Sequence, residues 1–278
     1  MAAEVWVVRS GQVPYAYARE AQKALEVARD AGDVPDLLLL LEHPPVYTKG
    51  RRSTPDELPM GEHWYRMQGI DVTDTDRGGR VTYHGPGQLV GYPIVSLRPY
   101  GDDVHAYVRR MEQVMIRSLA EHGVEAGLIE DLTGVWVRSA GASDEVADPA
   151  AEPAAPVASQ PGDTGRAAED VAGGVLRKIG SIGVHVNRSI TTHGFAVNVS
   201  NDLQPFEWIV PCGIEACRMT SLTRELGAEQ DLGGFAATVA ERFGEVYGRQ
   251  PVEVAAERLA ELVDGVGALA GGEAAQVR

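Results

Sequence analysis

Three observations in this 278-residue chain predict an α+β fold. Strand-like apolar runs and one long helix-period stretch share the N-terminal third. Strand patterning then dominates two further regions, one around the glycine-rich turns and one in the second half. Helical spacing returns only at isolated places, and runs of strands with a few packed helices indicate α+β rather than strict βαβ alternation.

Residues 4–8 read as a strand and residues 14–31 as a helix, with Ala18, Ala21, Leu25 and Ala28 on one stripe. The five leucines 37–41 form a short continuous apolar run, the mark of a buried strand. Residues 71–75, 81–84 and 89–97 continue as strands around the turns. Asp103 is a plausible N-cap for a helix running through Glu121, because Val104, Val108, Met111, Met115 and Leu119 recur at helical spacing. That stripe, methionines included, reads as core. Residues 134–137 and 175–199 return to strand patterning, and residues 235–247 read as a helix.

Composition narrows the function classes. The formal net charge of -15 argues against a broad nucleic-acid surface. The first ten residues, MAAEVWVVRS, offer no positive leader with an apolar core, and no apolar stretch approaches the length needed to span a membrane. The expectation is a soluble cytoplasmic protein, monomeric because no sustained heptad is visible. Two cysteines, Cys212 and Cys217, are too few and too close for a disulfide framework, and their spacing fits no usual structural zinc site even with His185 and His193 nearby. No metal and no cofactor are expected. Residues 139–174 carry seven acids against one arginine and contain no aromatic residue, Leu or Ile. Such a segment cannot bury enough apolar surface to offset its ordering entropy, so it is expected to be a disordered insert, either inert or partner-binding. Residues 1–250 are expected to form the main domain, with a helical-to-disordered tail at 251–278 that is loosely ordered after Leu262.

Residues 77–88, RGGRVTYHGPGQ, are the most unusual stretch. Glycines at 78, 79, 85 and 87 permit backbone conformations closed to other residues and a close approach to a bound group, while Val81, Thr82 and Tyr83 read as a short strand. The string suggests a ligand lying against backbone; a tight hairpin rim with a surface histidine is the alternative.

Two further residues add chemistry. Cys212 lies in Ile-Val-Pro-Cys-Gly-Ile, with Pro211 fixing the entering backbone and Gly213 leaving room beside the sulfur. Lys178 is one of only three lysines against 22 arginines, so a chain that fills basic positions with Arg has kept a Lys there. Lysine can shift its pKa and exchange a proton where arginine cannot; a solvated surface charge is the bland alternative. An ordinary cysteine is only about 3 per cent thiolate at neutral pH, and an ammonium within about 4 to 6 Å would favour the nucleophilic form.

These segments resemble the lipoyl(octanoyl) transferases. The resemblance runs through LLLLLEHPPVYTKG at 37–50, RGGRVTYHGPGQLVGYPI from residue 77, GVWV from 134, KIGSIG from 178, THGFAVN from 192 and IVPCGI from 209. It implies the fold of biotin and lipoate protein ligase catalytic domains, a central mixed β-sheet flanked by helices, in which 139–174 would be an insertion. It implies transfer of an octanoyl group from octanoyl-acyl carrier protein to a lysine of lipoyl domains, those of 2-oxoacid dehydrogenase E2 subunits and the glycine cleavage H protein. Cys212 and Lys178 take the catalytic positions. The acyl-binding positions are Arg77, Gly78, Gly79, Arg80, Val81, Thr82, Tyr83 and His84, then Ser181, Ile182 and Gly183, then Gly194, Phe195 and Ala196. His84 is a second choice for the base, or a positioning group; His193 is read as either ligand-lining or structural, and Cys217 as a packing residue. Lys49, Arg51 and Arg52, with Arg77 and Arg80 nearby, are read either as a patch steering an acidic carrier or as a solvated basic turn.

Three competing readings differ in testable ways. An ATP-dependent lipoate ligase would need no cysteine thioester. A cysteine hydrolase would need a Cys-His-Asn/Asp order that is not evident. A non-catalytic acyl-carrier-binding protein would tolerate Cys212→Ala.

Overall fold

The computed structural model describes residues 3–138, 176–210 and 218–270. The expected insert at 139–174 lies outside the described residues, as do Cys212 and Cys217.

The chain begins with strand β1 (Glu4–Gln12), helix α1 (Tyr15–Ala31) and strand β2 (Asp36–Glu42). Strands β3 (Val46–Lys49), β4 (Asp71–Asp74) and β5 (Thr82–His84) follow, with helix α2 (Glu62–Met67) between the first two. Strand β6 (Gln88–Ile94) leads to helix α3 (Val104–Glu121), then to β7 (Gly127–Ile129), β8 (Leu132–Arg138), β9 (Leu176–Asn187) and β10 (Ile190–Asn198). Helix α4 (Gln204–Glu207), strand β11 (Arg218–Met219), helices α5 (Leu222–Leu226) and α6 (Leu232–Tyr247), strand β12 (Gln250–Glu253) and helix α7 (Ala256–Leu262) complete the described chain.

The large sheet runs β12-β1-β2-β6-β10-β9-β8-β7, with β11 paired to β9. It is mixed: β12, β1 and β2 are parallel, whereas β2 through β7 pair antiparallel. A separate three-stranded sheet, β4-β3-β5, packs its own core of Tyr47, Tyr65, Val81, Tyr83 and Phe206. The leucine run shows why the large sheet reads as continuously apolar at its centre. Leu38 and Leu40 join the core beneath α3 and α6, while Leu37, Leu39 and Leu41 join the opposite core beneath α1 and α7. A strand covered on both faces has no polar side to alternate with.

The helix stripes agree with their expected faces. Ala18, Ala21, Leu25 and Ala28 all lie in the α1 core. Asp103 caps α3 by accepting from the Ala106 N–H at 3.0 Å, and Met111, Met115 and Leu119 are buried. Val104, counted in the stripe from spacing, is 37% exposed because it sits in the first turn, past the edge of the packed face. Among the described residues no helix is long and apolar enough to cross a membrane.

The expected loose order after Leu262 does not hold for residues 263–270. Val266 and Leu269 are buried with Leu259 and Val263 against the α1 core, and the preceding chain adds β12 in parallel beside β1. An Ala/Gly-rich composition hides this because three or four apolar anchors, correctly spaced, are enough to bind a short segment to a preformed surface. Leu259→Ala removes a side chain with no exposed surface; it is expected to lower unfolding free energy by about 2 to 5 kcal/mol, measured by denaturant titration with an unchanged m-value.

Candidate active site

Lys178 lies near the start of β9, between β8 and the short strand β11. Its backbone is in register with Trp136 of β8 on one side and Met219 of β11 on the other. The Lys178 carbonyl accepts from the Thr220 N–H at 2.9 Å. The side chain is 3% exposed, and its Nζ stands 5.2 Å from the centroid of the Trp136 ring, a cation–π arrangement. It is therefore no solvated surface charge.

The segment carrying Cys212 lies outside the described residues, but both its flanks are fixed. Val210 donates its N–H to the Glu57 carbonyl at 3.1 Å, and Arg218 re-enters in register with Arg177, the neighbour of Lys178.

The three segments that the resemblance assigns to acyl binding converge on β9 and β10. Gly183 pairs with Gly194, Ile182 with Phe195 and Ser181 with Ala196, while the Gly78 N–H donates to the Val184 carbonyl at 2.8 Å. The loop 77–80 is thereby laced to the strand pair, and Gly79 and Gly87 take the positive φ that their turns require. Side chains diverge where backbones meet. Phe195 enters the core beneath α3 and α6, with Ile182 packed against it, whereas Ala196 enters the α1 core. Val81 and Tyr83 point into the small sheet's core. For these residues any ligand contact falls to the backbone or to neighbours of opposite parity.

The cationic patch read from Lys49, Arg51, Arg52, Arg77 and Arg80 is mostly committed elsewhere. Arg77 is buried and donates to the Thr48 carbonyl and hydroxyl at 2.6 and 2.7 Å. Arg80 pairs with the buried Glu57 at 2.6 Å, and Lys49 pairs with Glu62 and Asp74. Arg51 and Arg52 alone are exposed, and their N–H groups donate to the Arg77 and Gly79 carbonyls, so they ride on the rim of the glycine-rich loop.

Beneath that loop lies a buried polar and aromatic wall that sequence reasoning largely missed. His43 uses Nδ1–H to reach the Val13 carbonyl at 2.5 Å, which leaves Nε2 to accept from the Tyr92 hydroxyl at 2.7 Å. His84 stands with its ring 5.6 Å from that of His43 and 6.3 Å from that of Tyr15. Its Nδ1–H donates to the Gln88 side-chain oxygen at 2.6 Å; Gln88 in turn donates to Asn198 at 2.9 Å, and Asn198 to the Thr220 carbonyl at 2.9 Å. A continuous relay thus links His84 to the strand beside Lys178. His193 has a φ of 56°, and its Nε2–H donates to Asp76 at 2.9 Å. His43 and Asn198 fall inside the quoted motifs and were the available signal; Tyr15, Asp76 and Gln22, which accepts the His193 N–H, carry none.

Burial sets the charge states. Desolvation lowers His43 and His193 to about 4 and His84 to about 3, the last aided by His43 nearby. All three are neutral at pH 7. Burial also pushes the Asp76 carboxyl up, but the hydrogen bond from His193 and its own backbone outweigh it and hold Asp76 at about 2. The wall is thus uncharged but for Asp76, its partner Arg19 at 3.4 Å and the Arg77 guanidinium, a surface suited to an apolar chain with a polar head.

These shifts fix a pH dependence. The unfolded chain takes up protons on its histidines near pH 6.5, whereas the folded chain refuses them until about 4 or 3. Stability is therefore full above about pH 6.5 and falls as pH drops toward 4, each unit of separation per histidine being worth about 1.4 kcal/mol. His43→Gln is expected to flatten the slope of Tm against pH across that window; an unchanged slope would show that His43 titrates normally in the folded protein.

Comparison with known proteins agrees with this geometry. Residues 14–244 match the lipoyl protein ligase A/B catalytic domain family. An octanoyltransferase from Solibacter usitatus is 44% identical over 204 residues, 73% of this chain and 76% of that protein. One from Mycobacterium leprae is 42% identical over 231 residues, 83% of each. Among solved structures, the bipartite lipoate protein ligase of Thermoplasma acidophilum superposes with a TM-score of 0.65 at 15% identity, covering 96% of this chain and 91% of that one, a likeness of fold. The buried lysine, the glycine-rich loop laced to β9 and the sequence kinship lead to one conclusion: this chain belongs to the lipoyl protein ligase A/B catalytic domain family and is an octanoyltransferase within it.

Proposed function

We propose that the protein takes an octanoyl group from octanoyl-acyl carrier protein, holds it as a thioester on Cys212, and delivers it to a lysine of lipoyl domains. The observation that carries the reading is Lys178. It is buried at a three-strand junction, and the strand paired to it on one side is the one into which the Cys212 segment returns. A buried ammonium beside that segment is suited to stabilise a thiolate.

The reaction then has two balanced halves. Thiolate Cys212 attacks the donor carbonyl, a new C–S bond forms and the donor's C–S bond breaks. The departing carrier thiolate takes a proton from Lys178, which is left neutral. That exchange of thioesters is nearly isoenergetic. The amine of the acceptor lysine next attacks octanoyl-Cys212, gives its proton to Lys178, and expels the Cys212 thiolate, restoring the ion pair. The amide product draws the sequence forward, and ping-pong kinetics follow.

The neutral wall supports acyl binding. Each methylene transferred out of water is worth about 0.8 kcal/mol, and the backbone at Gly78, Gly79 and residues 181–183 and 194–196 borders the β9–β10 pair along which a chain would lie. Thr82 and His84 face away from the small sheet's core and complete that border. In this reading Cys212 and Lys178 are the catalytic residues, His84 is a positioning group held by Gln88, and the acceptors are the lipoyl domains of 2-oxoacid dehydrogenase E2 subunits and the glycine cleavage H protein. The enzyme acts as a monomer without cofactor in the cytoplasm.

Two experiments test the reading. Incubated with octanoyl-acyl carrier protein and no ATP, the wild type is expected to gain a hydroxylamine-labile octanoyl adduct by intact mass and then to pass it to a lipoyl domain. Cys212→Ser should gain none, and Lys178→Ala should slow acylation by about 10²- to 10⁴-fold. Transfer that requires ATP and free octanoate would instead mark a ligase mechanism. Reversing Arg51 and Arg52 together to Glu is expected to raise KM for the carrier about tenfold with little change in kcat, and to weaken its salt dependence; an unchanged KM would remove these arginines from donor capture.

A further inference from the structure

Glu112 stands in the middle of α3 with its side chain fully buried, one residue after the core residue Met111. Burying a carboxylate is costly unless its charge and lone pairs are met. Here one oxygen accepts the Gly134 N–H at 3.1 Å and the other accepts from Arg109 at 2.8 Å. Arg109 is itself 55% exposed, so half of that compensation lies at the protein surface.

Gly134 is the residue on which the Lys178 stem rests. Its φ is 117°, and a Cβ there would come within 2.8 Å of Lys178 Cε and 2.5 Å of the Gly180 carbonyl oxygen. The β8–β9 register shifts between Val135 and Trp136, just past this point. Bare backbone, a bulge and the Trp136 face together form the bed across which the lysine passes, and the Glu112 carboxylate grips the first peptide of that bed.

We infer that Glu112 is the positioning residue for Lys178: it fixes the Gly134 peptide under the lysine stem and places a buried negative charge facing the ammonium. This rests on the reading of Lys178 as the proton carrier. The charges facing the carboxylate are Arg109 from α3 and Lys178 from β9, while β8 brings only the non-ionising Gly134 and Trp136. Beside Lys178 on β9, Arg177 is held by Glu225 of α5. Burial pushes the Glu112 carboxyl up from its ordinary value; the Gly134 N–H, Arg109 and the Lys178 ammonium all draw it down, so the carboxylate and the lysine share one electrostatic field.

The test is the pH profile of single-turnover octanoylation by octanoyl-acyl carrier protein, read by intact mass in quenched samples. Its alkaline limb reports loss of the Lys178 proton. Glu112→Gln keeps an acceptor for Gly134 but removes the charge, and is expected to shift that limb down by about one pH unit, with Glu112→Asp restoring most of it. Arg109→Gln leaves the buried carboxylate less compensated, which lowers stability, and is expected in the folded protein to shift the limb upward. Unshifted limbs in folded Glu112→Gln and Arg109→Gln, with Lys178→Met inactive, would overturn the role of Glu112 and leave that of Lys178 intact. Acylation of Lys178→Met at the wild-type rate and pH profile would overturn both. If Glu112→Gln does not fold, the direction of the Arg109→Gln shift decides the question.

Discussion

The antiparallel pairing of β9 with β10 is the constraint on which the rest depends. It runs in unbroken register from Asn187 opposite Ile190 to Gly180 opposite Val197. A slip of one residue would send Phe195 and Val197 to the α1 side and Ala196 into the α3 core, exchanging every buried contact of the sheet's centre. With that register fixed, β6 docks on one flank, β8 and β11 on the other, and the glycine-rich loop is tied down through Val184. Lys178 and the stretch from Ser181 to Gly183 thus lie on one strand, with Gly194, Phe195 and Ala196 opposite on its partner.

Around this strand pair the protein accepts a large buried polar content, much of it tied into networks. His84, Gln88 and Asn198 form one relay and His193, Asp76 and Tyr15 another, while Glu57 serves Arg80 and three backbone groups between Thr54 and Val210. Low local dielectric strengthens such networks when they are complete and penalises them when one member is lost. The same burial that keeps the histidines neutral leaves the wall with little charge. It also means that stability and site chemistry share the same atoms, so substitutions in the wall act on both.

Much of the fold was legible in the sequence because each clear signal has one local cause. The leucine run at 37–41, the alanine stripe of α1 and the Asp103 cap all express a single element meeting a single environment. The small sheet was not legible as a sheet: its strands are four, four and three residues long, too short for a period to declare itself, and β3 went unread as a strand. The order of residues 263–270 was obscured for a related reason, since their few anchors are diluted by alanine and glycine. Arg77 and Arg80 were visible as charges, but nothing in the sequence says that Thr48 and Glu57 have already claimed them.

By itself the sequence determined the α+β class, the family and the identities of the candidate catalytic pair, because those depend on residue type and on order along the chain. Only the tertiary structure decided that Lys178 is buried over Trp136, that residues 181–183 and 194–196 pair on adjacent strands with the glycine-rich loop tied to them at Val184, and that Glu112 reaches Gly134. These facts join residues far apart in the chain through strand register and burial. Electrostatic and steric effects act over a few ångströms of space, and sequence separation carries no measure of that distance.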